Sequence, residues 1–207
     1  MNSCLLVIDV QESFRHRPFF SEAKLPAYLE AQNTLIHRCI EAGLPVVRVF
    51  HASGASTPDN PFAPGSPLVS PLAGLTPFEA AAQFTKSRHS ALVGTGLDVW
   101  LVQHGIQRLI ISGIRTEQCC ETTTRHASDL GWEVDFVSAA TLTFDMTAPD
   151  GSVLTSADIT KRTETVLAQR FATLCSVDAA VRRAIDANIG ANIGANYPPH
   201  EHPRNAT

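Results

Sequence analysis

A chain of 207 residues, 44% hydrophobic and 17% charged, has the length for one domain with a sizeable core and the composition of a globular rather than a disordered protein. Its formal net charge of -4 provides no bulk attraction for nucleic acid or an anionic membrane, and no apolar run approaches the roughly 20 residues of a membrane helix. Asp9 and the lack of a basic flank argue against a signal peptide, and five irregularly spaced cysteines argue against a disulfide framework, so the expected compartment is reducing and cytoplasmic.

Cys4-Leu-Leu-Val-Ile-Asp9-Val10 is a near-continuous apolar run, the pattern of a strand buried on both faces of a parallel sheet. Glu22 to Ala42 has helical spacing, with Leu25, Leu29, Gln32, Leu35, Ile36 and Cys39 on one stripe and Gly43 as the stop. Pro45 to Phe50 (PVVRVF) is a second strand. Residues 51–77 are rich in Pro, Gly and Ser without periodicity, and so long an irregular loop predicts a lid or pocket wall. A short strand is expected at Ala82 to Lys86. Thr95 is placed to cap a helix through His104, with Leu97, Trp100 and Leu101 as its apolar face. Gln107 to Ser112 (QRLIIS) is a strong strand, followed by a turn at Gly113 to Thr116 and a helix capped by Thr116 that runs to about Leu130. Glu133 to Ala139 is a strand, Ser156 to Ala172 a helix, Thr173 to Cys175 a short strand and Ser176 to Asp186 a last helix.

Strands alternating with helices imply βαβ units and right-handed crossovers. The expected fold class is therefore α/β: a three-layer α/β/α sandwich with a mostly parallel, doubly wound (Rossmann-like) sheet. The domain is expected to cover residues 1–187. The remainder, 188–207, repeats Asn-Ile-Gly-Ala at 188–191 and 192–195 before a Pro- and His-containing end. It is expected to be a C-terminal extension without chemistry, the alternative being an arm on a neighbouring subunit.

Ligands of open parallel sheets bind at the carboxyl ends of the strands. Asp9, Lys86 and Cys119 stand at or just past such ends. Cys119 falls in the first turn of its helix, where unpaired N–H groups, the helix dipole and a nearby lysine would all favour a thiolate. Its alternative is a buried inert cysteine, as assumed for Cys120. Asp9 is either a general base or the cap of a neighbouring loop. Lys86, taken alone, is either a site residue or a solvated surface charge. Gly94-Thr95-Gly96 lacks a third glycine at Val99 and a strand leading into it, so it is not a dinucleotide fingerprint. His51, His200 and His202 show no metal-ligand spacing, and His89 and His126 are expected at the surface or behind the site.

Three segments resemble the isochorismatase-like cysteine hydrolase superfamily, which includes nicotinamidases, N-carbamoylsarcosine amidohydrolases and related amidases. They are Leu5 to Gln11 with Phe14; Lys86 to Leu92 with Thr95 and Leu97; and Gly113 to Thr123 with Arg125, Ala127 and Asp129 to Gly131. All occur in the family's order and spacing, over about residues 3–185. The resemblance implies a catalytic triad with Cys119 as nucleophile, Asp9 as base and Lys86 as the cation between them. It also implies a cis peptide between Ile114 and Arg115 that aims the N–H groups of Arg115 and Cys119 at the carbonyl oxygen. Hydrolysis of a C–N bond, amide or carbamoyl, through a thioester follows, with vinyl-ether hydrolysis or a non-hydrolytic thiol redox or binding protein as alternatives.

The chain departs from the pattern in places. Arg115 stands where a small residue is common, and either points away or binds a substrate carboxylate. Leu92 replaces a frequent Phe, which is expected to reshape the pocket. The Asp-His-His metal cluster of nicotinamidases is not evident after Phe50, so no metal and no cofactor are expected. Candidate substrate contacts are Phe14, Arg115 and His51, with Phe62 and Phe78 as further lining. Pocket walls are expected from residues 51–80 and 140–155. The partners expected are a small-molecule substrate and other copies of the chain, in a dimer or tetramer.

Overall fold

In the first strand, β1 (Asn2–Ile8), every side chain after Asn2 is buried, and successive residues point to opposite faces. Leu5 and Val7 join one apolar cluster, while Cys4, Leu6 and Ile8 join another. A strand apolar on both faces must be covered on both, and that places β1 at the centre of a three-layer fold. The computed structural model describes residues 2–57 and 59–195.

Around β1 lie β2 (Val46–His51), β3 (Ala82–Lys86), β4 (Ile106–Ile114), β5 (Glu133–Leu142) and, after a hairpin of the two-residue strands β6 (Met146–Thr147) and β7 (Val153–Leu154), β8 (Thr173–Leu174). The main sheet has six strands in the order β3-β2-β1-β4-β5-β8, with every pairing parallel. The chain winds outward from β1 to β3, then returns to start again at β4 on the other side of β1. This doubly wound α/β arrangement is the one expected from the sequence, and its switch point lies between β1 and β4.

The helices α1 (Leu25–Glu41) and α5 (Val177–Ala195) cover one face through Leu35, Ile36, Ala180 and Val181. The other face packs Leu97 and Leu101 of α2 (Leu97–Gln103), Ala127 of α3 (Glu121–Asp129) and Leu167 of α4 (Ser156–Leu167).

Several boundaries differ from expectation for local reasons. α1 starts at Leu25 rather than Glu22, with Pro26 in its first turn, where a missing N–H costs nothing. α4 stops at Leu167, because Gln169 takes a left-handed conformation (φ 62°) and the chain doubles back through an Ala168–Ala172 bridge. No Gly or Pro marks that turn. α5 continues past Asp186 to Ala195, taking in both Asn-Ile-Gly-Ala copies, whose four-residue period is close to the helical one. The chain beyond it, with His200 and His202, lies outside the described residues. Among the described residues no helix is long and apolar enough to cross a membrane.

Residue 113 was expected in a turn, yet β4 continues through it to Ile114. Gly113 has φ 132°, and a Cβ there would stand 1.9 Å from the carbonyl oxygen of Ile8. β1 and β4 meet that closely just before Asp9 and Arg115. Gly113→Ala should therefore cost about 3 kcal/mol or more, since backbone strain adds to a clash that no side chain can relieve. Urea unfolding of the variant checks this; a loss below about 1 kcal/mol, the size of a tolerated surface change, would show that the strands can separate.

Candidate active site

Three strand ends deliver the candidate groups. Asp9 follows β1 in the left-handed region (φ 53°), a conformation an aspartate tolerates better than most side chains. Lys86 is the last residue of β3. Cys119 follows β4 on a five-residue π-helical turn, Thr116–Cys120, whose closing bond runs from the Cys120 N–H to the Arg115 carbonyl (3.2 Å). The peptide bond Ile114–Arg115 entering this turn is cis.

The three side chains meet. Lys86 Nζ lies 2.6 Å from Asp9 Oδ2 and donates to Cys119 Sγ at 3.1 Å. It also lies 3.1 Å from the Arg88 carbonyl and 3.2 Å from His51 Nδ1. An ammonium with three donors thus faces four acceptors. Both charged side chains are fully buried, and such charges are tolerable only when paired.

Thr116 does not cap a helix. Its hydroxyl donates to Thr141 Oγ1 (2.9 Å), and regular α-helix begins only at Glu121. The features expected to favour a thiolate are opposed by burial. Burial first, and the Asp9 charge second, push the Cys119 thiol up to about 12 against the pull of Lys86. Burial likewise raises Asp9, against the attraction of Lys86. Burial lowers Lys86, but Asp9 and Cys119 together outweigh it and hold the ammonium charged. These directions favour a thiol at Cys119 and a charged Lys86 beside it.

Gln11, two residues after Asp9, ties β1 to the end of β2. Its amide clamps the backbone of His51, accepting from the N–H (2.8 Å) and donating to the carbonyl (3.0 Å). Burial, then the charge of Lys86, lower the His51 imidazole to about 4. Neutral His51 accepts from Lys86 at Nδ1 and so carries its proton on Nε2, which donates to Ser53 Oγ (2.7 Å). Both ring nitrogens thus have partners within hydrogen-bond distance. Among the described residues no three His, Cys, Asp or Glu side chains are grouped to hold a metal ion.

This imidazole makes stability pH-dependent. An unfolded histidine binds a proton near 6.5, whereas His51 in the fold does so only near 4. Between those values the unfolded state holds more protons, and stability falls as pH drops. His51→Gln should flatten the curve of unfolding free energy against pH across that window; an unchanged slope in urea titrations would place the effect elsewhere.

A cavity of about 450 Å³ opens onto the sulfur, lined by Asp9, Phe14, Arg17, Phe19, His51, Ser53, Gly54, Asn60, Phe62, His89, Arg115, Gln118 and Cys119. Its size suits a small molecule. The loop after β2 forms one wall, as its composition predicts, with Phe62 edge-on to Phe14 at 5.0 Å. Residues 140–155 do not line it, and Phe78 sits instead beneath the Arg48 guanidinium (4.2 Å). Leu92 is packed in the core, so its replacement of a larger residue does not shape the cavity. His89 is exposed and lines the cavity with Nδ1 3.9 Å from Cys119 Sγ, a closer approach to the thiol than expected. Its one sequence signal is its place three residues beyond Lys86. Arg17 and Phe19 lie in an irregular loop and have no such signal. His126 is held away from the cavity by Ser90 (2.9 Å).

Fold and site together define a class: a doubly wound α/β framework of hydrolase type, with thiol, carboxylate and ammonium gathered at its switch point. The chain belongs to the isochorismatase family, whose domain description, "Isochorismatase domain", matches residues 3–178. It is 26% identical over 177 residues to the isochorismatase family protein YrdC of Bacillus subtilis, covering 86% of this chain and 93% of that one. It is 30% identical over 161 residues to a streptothricin hydrolase of Streptomyces noursei, covering 76% of this chain and 56% of that one. The structure of an isochorismatase from Pseudomonas putida KT2440 superposes with a TM-score of 0.76 at 26% identity, covering 86% of this chain and 89% of that one. A nicotinamidase of Arabidopsis thaliana is 40% identical over 60 residues, covering 29% of this chain and 30% of that one.

Proposed function

We propose that this protein hydrolyses the C–N bond of a small amide or carbamoyl compound through a thioester on Cys119. The observation that carries the reading is the buried contact of one ammonium with both a carboxylate at 2.6 Å and a thiol at 3.1 Å, at the floor of a cavity. Asp9 takes the thiol proton as Sγ attacks the carbonyl carbon. A thiol held near 12 needs such a base at the moment of attack, and burial, by raising Asp9, makes it a better proton acceptor than an exposed carboxylate. Lys86 stays charged and offsets the negative charge passing between sulfur and carboxylate.

The carbonyl oxygen gains charge beside the backbone N–H groups of Arg115 and Cys119, which serve as oxyanion donors. The C–N bond breaks, the departing amine takes the proton from Asp9, and an acyl group remains on sulfur. Asp9 then deprotonates a water molecule that attacks the thioester. The acid leaves and the proton returns to sulfur.

A vicinal-thiol redox role is disfavoured by Cys120, which is fully buried. The test is a panel of primary amides, ureas, carbamoyl compounds and hydrazides scored for ammonia or amine release, with rapid quench and mass spectrometry of the protein. The expected result is release together with an acyl mass on the peptide that contains Cys119. Release without that adduct, retained in Cys119→Ala, would remove the thioester; no release from the panel, together with cleavage of a vinyl ether that persists in Cys119→Ala, would favour vinyl-ether chemistry at the same crevice.

A further inference from the structure

Arg115 is the clearest departure from the family's small residue, and the structure shows where its charge goes. The side chain is 7% exposed and lines the cavity. Its Nε lies 3.0 Å from Glu117 Oε1, an ion pair in which neither atom completes an aligned hydrogen bond. Nη2 is buried with no hydrogen-bond partner in the protein. A buried donor left unmatched is costly, and a guanidinium presents paired donors suited to a carboxylate. Glu117 itself is held from behind by Thr143 Oγ1 (2.6 Å) and is not part of the cavity wall. Phe19 and Phe144 flank the guanidinium, with ring centroids at 4.8 and 5.8 Å, and fix its plane.

Arg17 is a second cationic wall. It is exposed, lies over Phe19 at 5.8 Å, and forms no ion pair among the described residues. The one acid of the cavity wall, Asp9, is met by Lys86, and Arg115 is met from behind by Glu117 at Nε alone, so the wall keeps the charge of Arg17 and the unmatched Nη2 donor of Arg115. The lining therefore has an unbalanced positive side, away from the buried pair.

We infer that the substrate is an anion: an amide or carbamoyl compound that also carries a carboxylate, received by Arg115 and Arg17 while its carbonyl carbon faces Cys119. This rests on Cys119 being the attacking group, but its test does not require turnover. Iodoacetate and iodoacetamide alkylate a thiol by the same displacement of iodide and differ only in a carboxylate against a neutral amide. The rate of Cys119 modification by each is followed by peptide mass spectrometry on the full chain, with glutathione as the reference thiol.

The ratio of iodoacetate to iodoacetamide rates should exceed that of glutathione by about tenfold, the worth of one charge-assisted contact. Arg115→Gln should lower the ratio by a similar factor. Arg17→Gln, at an exposed position that cannot endanger folding to the same degree, should lower it by less, and high salt should narrow the remainder. A ratio equal to that of glutathione, a ratio insensitive to both substitutions, or no labelling of Cys119 by iodoacetate overturns the anion site. The hydrolase reading is judged separately, by product release and the acyl adduct.

Discussion

Cys119→Ala should lose turnover by roughly 10⁴-fold or more, with no acyl adduct left on the protein. The size of the effect follows from the arrangement of the groups. Lys86 donates to the sulfur and is paired with Asp9, both fully buried, so loss of Sγ removes the group that this pair serves. Cys120 cannot substitute, because it faces the core among Leu6, Leu109 and Ile111 and burial pushes its thiol well above the ordinary range. The removed sulfur is small and the ion pair is untouched, so Cys119→Ala should stay folded, and circular dichroism and unfolding in urea check this. Substrate binding measured on the folded variant should persist, since the arginines and aromatic walls remain. Turnover within tenfold of the parent would mean that the sulfur is a bystander.

Lys86→Met should be the most damaging single change to stability, at about 3–5 kcal/mol, because it strands a buried carboxylate. Asp9 has no exposed surface, and Lys86 is the cation that meets it. Without Lys86, the Asp9 carboxyl takes up a proton in the fold and releases it on unfolding. The folded state then holds more protons than the unfolded one above the ordinary carboxylate value of 3.8, and the variant loses stability as pH rises.

Adding Asp9→Asn removes the stranded charge, so the double variant should recover much of the loss while remaining inactive. Unfolding free energies of the parent, both single variants and the double variant close the cycle. A double variant as unstable as Lys86→Met alone would show that the lysine stem, packed as one of the largest fully buried side chains, matters more than its charge.

Much of the fold was legible because periodicity is a local property. The runs at Cys4, Pro45 and Gln107 are largely apolar on both faces and suit the inside of a parallel sheet, which the burial of β1 on both faces bears out. Positions at strand ends were legible for the same reason, and Asp9, Lys86 and Cys119 stand within a few residues of where hydrophobic runs stop. The end of α4 was not legible, since a left-handed Gln169 leaves no compositional mark. Gly113 looked like a turn residue, whereas it is glycine because two strands approach too closely for a Cβ.

The amino-acid order alone determined the layer architecture, the winding of the sheet and the identity of the groups at its carboxyl edge, since each depends on hydrophobic period or on residue type at a strand end. Protonation and selectivity were decided only in three dimensions. Whether Cys119 is thiol or thiolate depends on burial and on how closely Asp9 approaches it, and those distances arise from segments far apart in the chain. The fate of Arg115 likewise depends on Glu117, Phe19 and Phe144 converging on it. Solvent exclusion and charge proximity are properties of the packed molecule, and neither has a signature in any one segment.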